Sequence, residues 1–431
     1  MKRSAWTDLI KWKTSKSRKP LIIRGARQVG KTWLMKAFGN AEYAKYAYVN
    51  FESSKNLSSI FDDDFNISRI ITALQIETGV MITTDTLIIL DEIQEAPGAI
   101  TSLKYFQENA PEYHVISAGS LLGVSLNRHT SFPVGKVEFM DLYPLSFTEF
   151  LNAAGEEPLL NLLESKDWSL IKTFRLRYIN LLKQYYYVGG MPEAVLAFTG
   201  ENDFKLVRDI QKRILEAYEQ DFSKHAPNEI VPRIRMLWNS IPAQLAKENK
   251  KFIYGIIRQG ARAKDYELAM SWLIDCGLVH KINRVNKPAI PLKAYEDFGA
   301  FKLFVADVGL LGAMVDIDVK TLLNGNDLFE EFKGALTEQF VLQQLIIQAD
   351  LAIYYWSAEN GGAELDFLVQ HDGDIIPVEV KAAENLHAKS LKVFCQKYKP
   401  AKAIRTSMSD FRKDDWLTNL PLYAISEIIE A

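Results

Sequence analysis

The chain has 431 residues, 48% of them hydrophobic, and its 51 Lys or Arg against 54 Asp or Glu leave a formal charge of −3, so it has no overall attraction for nucleic acid and any basic surface must be local. That length predicts two to four domains, while no apolar run is long enough to span a bilayer and the basic start, Met1 to Pro20, has no apolar stretch behind it to act as a secretory signal. Cys276 and Cys395 lie too far apart in sequence for a disulfide framework or zinc cluster, and read as packed thiols of a reducing, cytoplasmic compartment.

No repeat or low-complexity tract interrupts the chain. The first third alternates short apolar strands with helical stretches, the pattern of a parallel sheet covered by helices. Strands are predicted at Leu21–Arg24, Ala47–Asn50, Leu87–Leu90 and His114–Ser117. Between the first strand and a helical run from Trp33 to Phe38 lies Gly25-Ala26-Arg27-Gln28-Val29-Gly30-Lys31-Thr32, a G-x-x-x-x-G-K-T phosphate loop. Its glycines let backbone N–H groups converge on phosphate oxygens, and the following helix adds its positive end. Lys31 is expected to reach the β- and γ-phosphates of ATP, and the Thr32 hydroxyl to ligate Mg²⁺.

The strand Thr86-Leu87-Ile88-Ile89-Leu90 ends in Asp91-Glu92. An unbroken apolar run fits a central parallel strand, and ligands bind beyond the C-terminal ends of such strands. Asp91 is expected to hold Mg²⁺ through water, with Glu92 as the general base on the attacking water. The next strand ends in a polar residue suited to the γ-phosphate, Ser120 or alternatively Ser117; an N-cap serine is the competing reading.

From about Leu151 to Phe222 the signal is helical, with apolar residues at three- and four-residue spacing in Leu159–Leu163, Phe174–Tyr187 and Phe204–Tyr218. Lys251 to Tyr295 reads as helix, turn, helix and hairpin, with a helix over Tyr266–Ile274, a stop at Cys276-Gly277 and a hairpin tip at Asn286-Lys287-Pro288. Arg258, Arg262 and Lys264 before that helix are candidates for DNA phosphate contacts, against Asp265, Glu267 and Asp275 within it.

Near the end, Ala363–Gln370 alternates polar and apolar residues and Ile375–Lys381 forms a second strand, with Asp372-Gly373 as a two-residue turn. That register sets Asp366 opposite Glu379 and Glu364 opposite Lys381, all on one face. Two opposed carboxylates repel; a divalent cation, Mg²⁺ or Mn²⁺, would reverse that, with Asp366 and Glu379 as its ligands and Lys381 placed to stabilise developing phosphorane charge. Glu338, on a helical run over Glu331–Ile347, completes the candidate catalytic set.

These motifs resemble those of a prokaryotic family of AAA-type P-loop ATPases of unassigned role, distantly related to archaeal and signalling ATPases. The matching stretches are Gly25–Thr32, Leu87–Gln94, Tyr143–Phe150, Tyr187–Ala194 and Phe332–Glu338. The resemblance implies that Gly190 and Pro192, a Gly-x-Pro turn in a helical lid, touch the adenine. It also implies an arginine finger. Gly135 is followed by Lys136, which cannot make the bidentate contact of arginine, and Arg128 and Arg213 stand as alternatives. The middle segment resembles a winged helix. Glu338, Asp366 and Glu379-Val380-Lys381 resemble the PD-(D/E)XK restriction-endonuclease core, although Leu365 stands where that family has proline.

The expected fold is therefore α/β, a P-loop NTPase parallel sheet with a helical lid, a winged helix and a C-terminal α/β restriction-endonuclease-like domain. The expected domains are 1–150, 151–224, 225–312 and 313–431. The expected function is a Mg²⁺-dependent ATPase whose nucleotide state controls the C-terminal region. Its expected partners are ATP, DNA through the winged-helix and nuclease-like domains, and further copies of itself in the nucleotide-bound state, with no membrane. The rival is a nucleotide-dependent protein-interaction switch whose nuclease-like domain is catalytically inactive.

Overall fold

The computed structural model of the chain describes residues 1–119, 132–247, 250–324, 330–348, 350–358, 362–383 and 388–430. It divides into two compact units, one of Lys2–Tyr143 with Ser271–Leu278, the other of Pro144–Met270 with Val279–Ala431. Among the described residues no helix is long and apolar enough to cross a membrane.

In the first unit, β1 (Leu21–Arg24), β2 (Lys45–Asn50), β3 (Thr86–Asp91), β4 (His114–Ala118) and β5 (Glu138–Asp141) form one sheet in the order β2-β3-β4-β1-β5. Every pairing is parallel. β3 is buried along its whole length, as an unbroken Leu-Ile-Ile-Leu run at the centre of a parallel sheet requires. Helices α1 (Ala5–Thr14), α2 (Lys31–Glu42), α3 (Ile67–Thr78) and α4 (Pro97–Asn109) belong to this unit. Ile22, Ile88, Leu90 and Val115 share a core with Ile70 and Leu74 of α3 and Leu103 and Phe106 of α4. Local chemistry sets the ends of α3: the Asn66 side chain accepts from the Arg69 N–H, and Gly79 closes the helix in the left-handed conformation.

The second unit begins with α5 (Phe147–Ala153), whose start is a capping box. The Ser146 hydroxyl accepts from the Glu149 N–H while the Glu149 carboxylate accepts from the Ser146 N–H. The segment Tyr143–Phe150 therefore specifies a helix start. α6 (Glu157–Ser165), α7 (Arg175–Val188), α8 (Pro192–Glu201) and α9 (Phe204–His225) follow, then α10 (Val231–Leu245) and α11 (Ala263–Asp275), whose last residues from Ser271 belong to the first unit. After them come the hairpin β6 (Val279–Val285) and β7 (Glu296–Val305), α12 (Val308–Met314) and α13 (Glu330–Ile346). The remainder is β8 (Ala352–Ser357), β9 (Glu364–His371), β10 (Asp374–Val380), α14 (Lys389–Tyr398), β11 (Ile404–Ser407), β12 (Arg412–Lys413) and β13 (Thr418–Pro421).

The hairpin β6–β7 is not a free wing. All eight strands of this unit form one sheet in the order β12-β13-β11-β10-β9-β8-β6-β7. The join is a short parallel pairing of Arg284 and Val285 with Tyr355 and Trp356. Three of the expected segments, 151–224, 225–312 and 313–431, thus lie largely in one unit, and the 312/313 boundary falls between strands of a single sheet.

Candidate functional site

Each unit carries a cluster of chemistry-bearing side chains. In the first unit, the loop from β1 to α2 turns through three left-handed positions, Gly25 (φ 143°), Gln28 (φ 68°) and Gly30 (φ 94°). A Cβ at Gly25 would lie 2.1 Å from the Leu142 carbonyl oxygen, so only glycine fits against that strand end. Arg3 holds the loop from behind, donating to the Val29 oxygen at 3.0 Å and the Tyr143 oxygen at 2.6 Å.

Lys31, the first residue of α2, is 7% exposed. Its ammonium donates to the loop's own carbonyls, Gly25 O at 2.9 Å and Ala26 O at 2.8 Å. Burial lowers its pKa from the ordinary 10.5 to about 8; Glu92 and Asp91 oppose that shift and Arg27 adds to it. Thr32 donates to Asp91 Oδ2 at 2.7 Å, and Tyr48 of β2 donates to the same oxygen at 3.0 Å. Asp91 Oδ1 accepts the Glu92 N–H at 3.1 Å. Burial, with the Asp91 and Glu92 charges adding to it, pushes the Tyr48 phenol up to about 12, so it serves Asp91 as a donor. Glu92 stands at φ 50°, ψ 45°, and its Oε2 accepts from Gln94 Nε2 at 2.6 Å.

The structure thus brings Lys31, Thr32, Asp91 and Glu92 to one mouth at the C-terminal end of the sheet. Thr32 and Asp91, oxygen donors already in contact, are a donor set suited to a hard divalent ion. Ser117 is not available to a phosphate, because its buried hydroxyl donates to the Leu21 oxygen at 3.2 Å. Ser120 and Arg128 lie outside the described residues. Lys136 is paired with Glu108 at 2.9 Å. Sequence reading missed Arg3 and Tyr48, which carry no motif. It also missed the turn after α11: a Cβ at Gly277 would lie 3.1 Å from the Ala26 nitrogen, so this segment packs on the phosphate loop within the first unit.

In the second unit Gly190 and Pro192 are accounted for by packing. The Gly190 N–H donates to Asp307 Oδ2 at 2.6 Å, its carbonyl accepts from the Leu145 N–H at 2.7 Å, and Pro192 opens α8 as its first residue. Arg213 pairs with Glu193 at 3.6 Å. Arg258, Arg262 and Lys264 are exposed ahead of and at the start of α11.

The second cluster lies on the large sheet. Asp372 (φ 45°) and Gly373 (φ 84°) make the expected two-residue turn, and the register runs from Asp374 with His371 to Val378 with Phe367. Beyond that pair the Asp366 carboxylate takes the Val380 N–H at 2.7 Å. The ladder ends there, so neither expected pairing, Asp366 with Glu379 or Glu364 with Lys381, is part of it. Glu364 pairs with Ser357 of β8, while the Lys381 N–H goes to the Thr406 oxygen at 2.8 Å. The Lys381 ammonium meets Glu379 Oε1 at 2.7 Å. Glu338 of α13 bonds Lys250 and shares a hydrogen bond with Asp366.

The four expected residues are thus together, with three more that sequence reading did not supply in these roles. Lys302 of β7, 1% exposed, lies 2.7 Å from Glu364 Oε1 and 3.8 Å from Glu338 Oε2; Lys250 and Glu364 are the others. Burial raises the Asp366 pKa well above the ordinary 3.8, helped by Glu338 and Glu379 and opposed by Lys302. Burial also pushes Glu338 up, but Lys250 and Lys302 more than offset it and Glu338 is a carboxylate. The repulsion expected between the acids is met by the lysines Lys250, Lys302 and Lys381. Among the described residues no three or more His, Cys, Asp or Glu converge to hold a metal ion.

Residues 17–151 match the family described as AAA domain, residues 179–321 a domain of unknown function (DUF8612), and residues 333–425 a second domain of unknown function (DUF4143). No curated protein matches the chain. Among solved structures, the Walker-type ATPase PABY2304 of Pyrococcus abyssi shares 14% identity over 72% of this chain and 95% of that one, with a TM-score of 0.46. The Orc1 protein of Aeropyrum pernix in complex with DNA shares 14% over 73% and 93%, at 0.27, and Cdc6p of Pyrobaculum aerophilum 10% over 75% and 95%, at 0.26. Likenesses at TM-scores this low establish nothing about what the chain does. The match over 17–151, together with the five-stranded parallel sheet, makes the first unit an AAA-type P-loop domain.

Proposed function

We propose that the chain is a Mg²⁺-dependent ATPase whose nucleotide state governs its C-terminal unit. The observation that supports this reading best is the Thr32–Asp91 contact at the mouth of the loop, beside a Lys31 ammonium parked on two loop carbonyls. A polyphosphate entering the loop offers Lys31 charged oxygens in place of Gly25 O and Ala26 O, a stronger set of acceptors. The N-terminal end of α2 adds its positive potential there. A divalent ion held by Thr32 and Asp91 supplies charge neutralisation at the phosphates when bound. Glu92, released from Gln94, orients the attacking water and accepts its proton.

Lys31→Ala is expected to abolish ATP binding, whereas Glu92→Gln retains binding and lowers turnover by about 10²–10⁴-fold. Binding is read by calorimetry and turnover by phosphate release. Equal turnover in Lys31→Ala and the parent would end the ATPase reading.

For the C-terminal unit two readings compete. A metal-dependent nuclease is supported by the presence of Glu338, Asp366, Glu379 and Lys381 in one side-chain cluster. An interaction switch without cleavage is supported by Lys302, whose buried ammonium lies against Glu364 and Glu338. Under either reading the favoured partner surface is α14. Lys389, Lys392 and Lys397 are exposed on it, opposite the buried Leu391 and Phe394, and Lys399 follows at its end. Residues 388–413 hold eight Lys or Arg against one Asp, in a chain whose total is −3. Such a local surplus suits a nucleic-acid backbone.

A further inference from the structure

We infer that Lys302 is a built-in counter-ion standing where a divalent cation would sit among Glu338, Glu364 and Asp366, so that this nuclease-like cluster is closed to metal and does not cut. The inference deepens the switch reading of the C-terminal unit and is independent of ATP turnover.

The geometry carries it. Lys302 comes from β7 at the edge of the sheet, yet its ammonium is buried between the Glu364 carboxylate of β9 and the Glu338 carboxylate of α13. Lys250 takes the other oxygen of Glu338, and Lys381 takes Oε1 of Glu379. A Mg²⁺ or Mn²⁺ ion needs several oxygens drawn to about 2.1 Å of one point. Here the oxygens are spread around ammonium groups at hydrogen-bonding distance and beyond. Glu338, Glu364 and Glu379 thus each already face a lysine ammonium.

Two atoms keep the imprint of a cation site. Glu338 Oε2 and Glu379 Oε2 are buried and accept no hydrogen bond among the described residues. Both carboxylates remain available as ligands if the ammonium between Glu338 and Glu364 is taken away. A neutral side chain at 302 would leave the cluster short of one positive charge, which is the condition under which a divalent ion binds.

The test uses the full-length, nucleotide-free protein titrated with Mn²⁺ and followed by the free-ion resonance signal. The parent is expected to bind the same amount of Mn²⁺ as Asp366→Asn. Lys302→Met is expected to gain one Mn²⁺ equivalent that the added Asp366→Asn change removes. Lys302→Met should also melt at lower temperature than the parent in EDTA and recover in Mn²⁺, while the parent's Tm does not respond. If Lys302→Met fails to fold even with Mn²⁺ present, Lys302→Gln is scored in the same way. A parent site abolished by Asp366→Asn, or folded Lys302 variants that gain no site, would overturn the inference. Nicking of plasmid DNA by the parent with Mn²⁺, lost on Asp366→Asn, would overturn it as well.

Discussion

Lys31 illustrates how a single side chain can carry a pH signature into function. Its folded-state pKa of about 8 lies below its ordinary 10.5. Between those values the unfolded chain holds the proton more tightly than the folded one, so Lys31's contribution to stability rises as pH climbs from 8 to 10.5 and is unfavourable below that window. Nucleotide binding has the opposite sign, because only the ammonium form grips phosphate. ATP affinity is therefore expected to fall about tenfold from pH 7 to pH 9, with proton uptake on binding near pH 8, read by calorimetry in buffers of different ionisation enthalpy. Lys31→Arg, which does not titrate in this range, should bind with no such slope across these pH values. A parent profile as flat as that of Lys31→Arg would show that Lys31 is not the titrating contact. The motif made Lys31, Thr32 and Asp91 legible in the sequence. Tyr48, which bonds Asp91, and Arg3, which holds the loop at Val29, were not, since a tyrosine in a strand and an arginine near a terminus have no distinguishing pattern.

Among the elements, α13 and Asp307 hold the second unit together through polar bonds that no periodicity announces. Gln339 accepts from the Val305 N–H at 3.0 Å and donates to the Val305 oxygen at 2.7 Å, serving the outer edge of β7 as a further strand would. Gln343 accepts from the Val308 N–H at 2.9 Å and donates to Asp307 Oδ2 at 3.0 Å. Asp307, fully buried, also accepts from the Gly190 and Leu310 N–H groups at 2.6 Å and 3.0 Å, the latter capping α12. Asp307→Ala strands these donors in the core and is expected to cost about 3–5 kcal/mol, measured by urea unfolding of the full chain. A loss below about 1 kcal/mol would mean the hub is dispensable. This network also explains the Gly-x-Pro segment. A Cβ at Gly190 would lie 2.2 Å from the Leu145 oxygen, so the glycine is required by packing alone.

Across the whole molecule, charge is unevenly shared. With a basic surplus of seven confined to residues 388–413, the remainder of the chain is strongly acidic. Nucleic acid is expected to bind the full-length protein through α14, and its affinity to fall steeply with salt. Replacing Lys389, Lys392 and Lys397 by Glu should weaken binding and flatten the logarithmic salt slope by about 0.9 per lysine, read by fluorescence anisotropy on a duplex oligonucleotide. Binding that survives those changes with its slope intact would move the surface elsewhere, and Arg258, Arg262 and Lys264 would be the next residues to test.

Contiguity separates what was legible from what was not. The phosphate loop occupies eight consecutive residues between a strand and a helix, and the C-terminal hairpin is defined by an Asp-Gly turn and period-two alternation, so neighbouring residues alone specify both. The union of β6–β7 with β8 to β13 rests on a parallel contact of two residues with two others about seventy positions away, which no local pattern encodes. Lys302 reaches Glu338 and Glu364 only because that union forms, and a lysine in an apolar strand looks the same in sequence whether it ends in solvent or among carboxylates. Backbone chemistry over a few residues determined the nucleotide site, whereas long-range packing decided which charges the C-terminal acids would face.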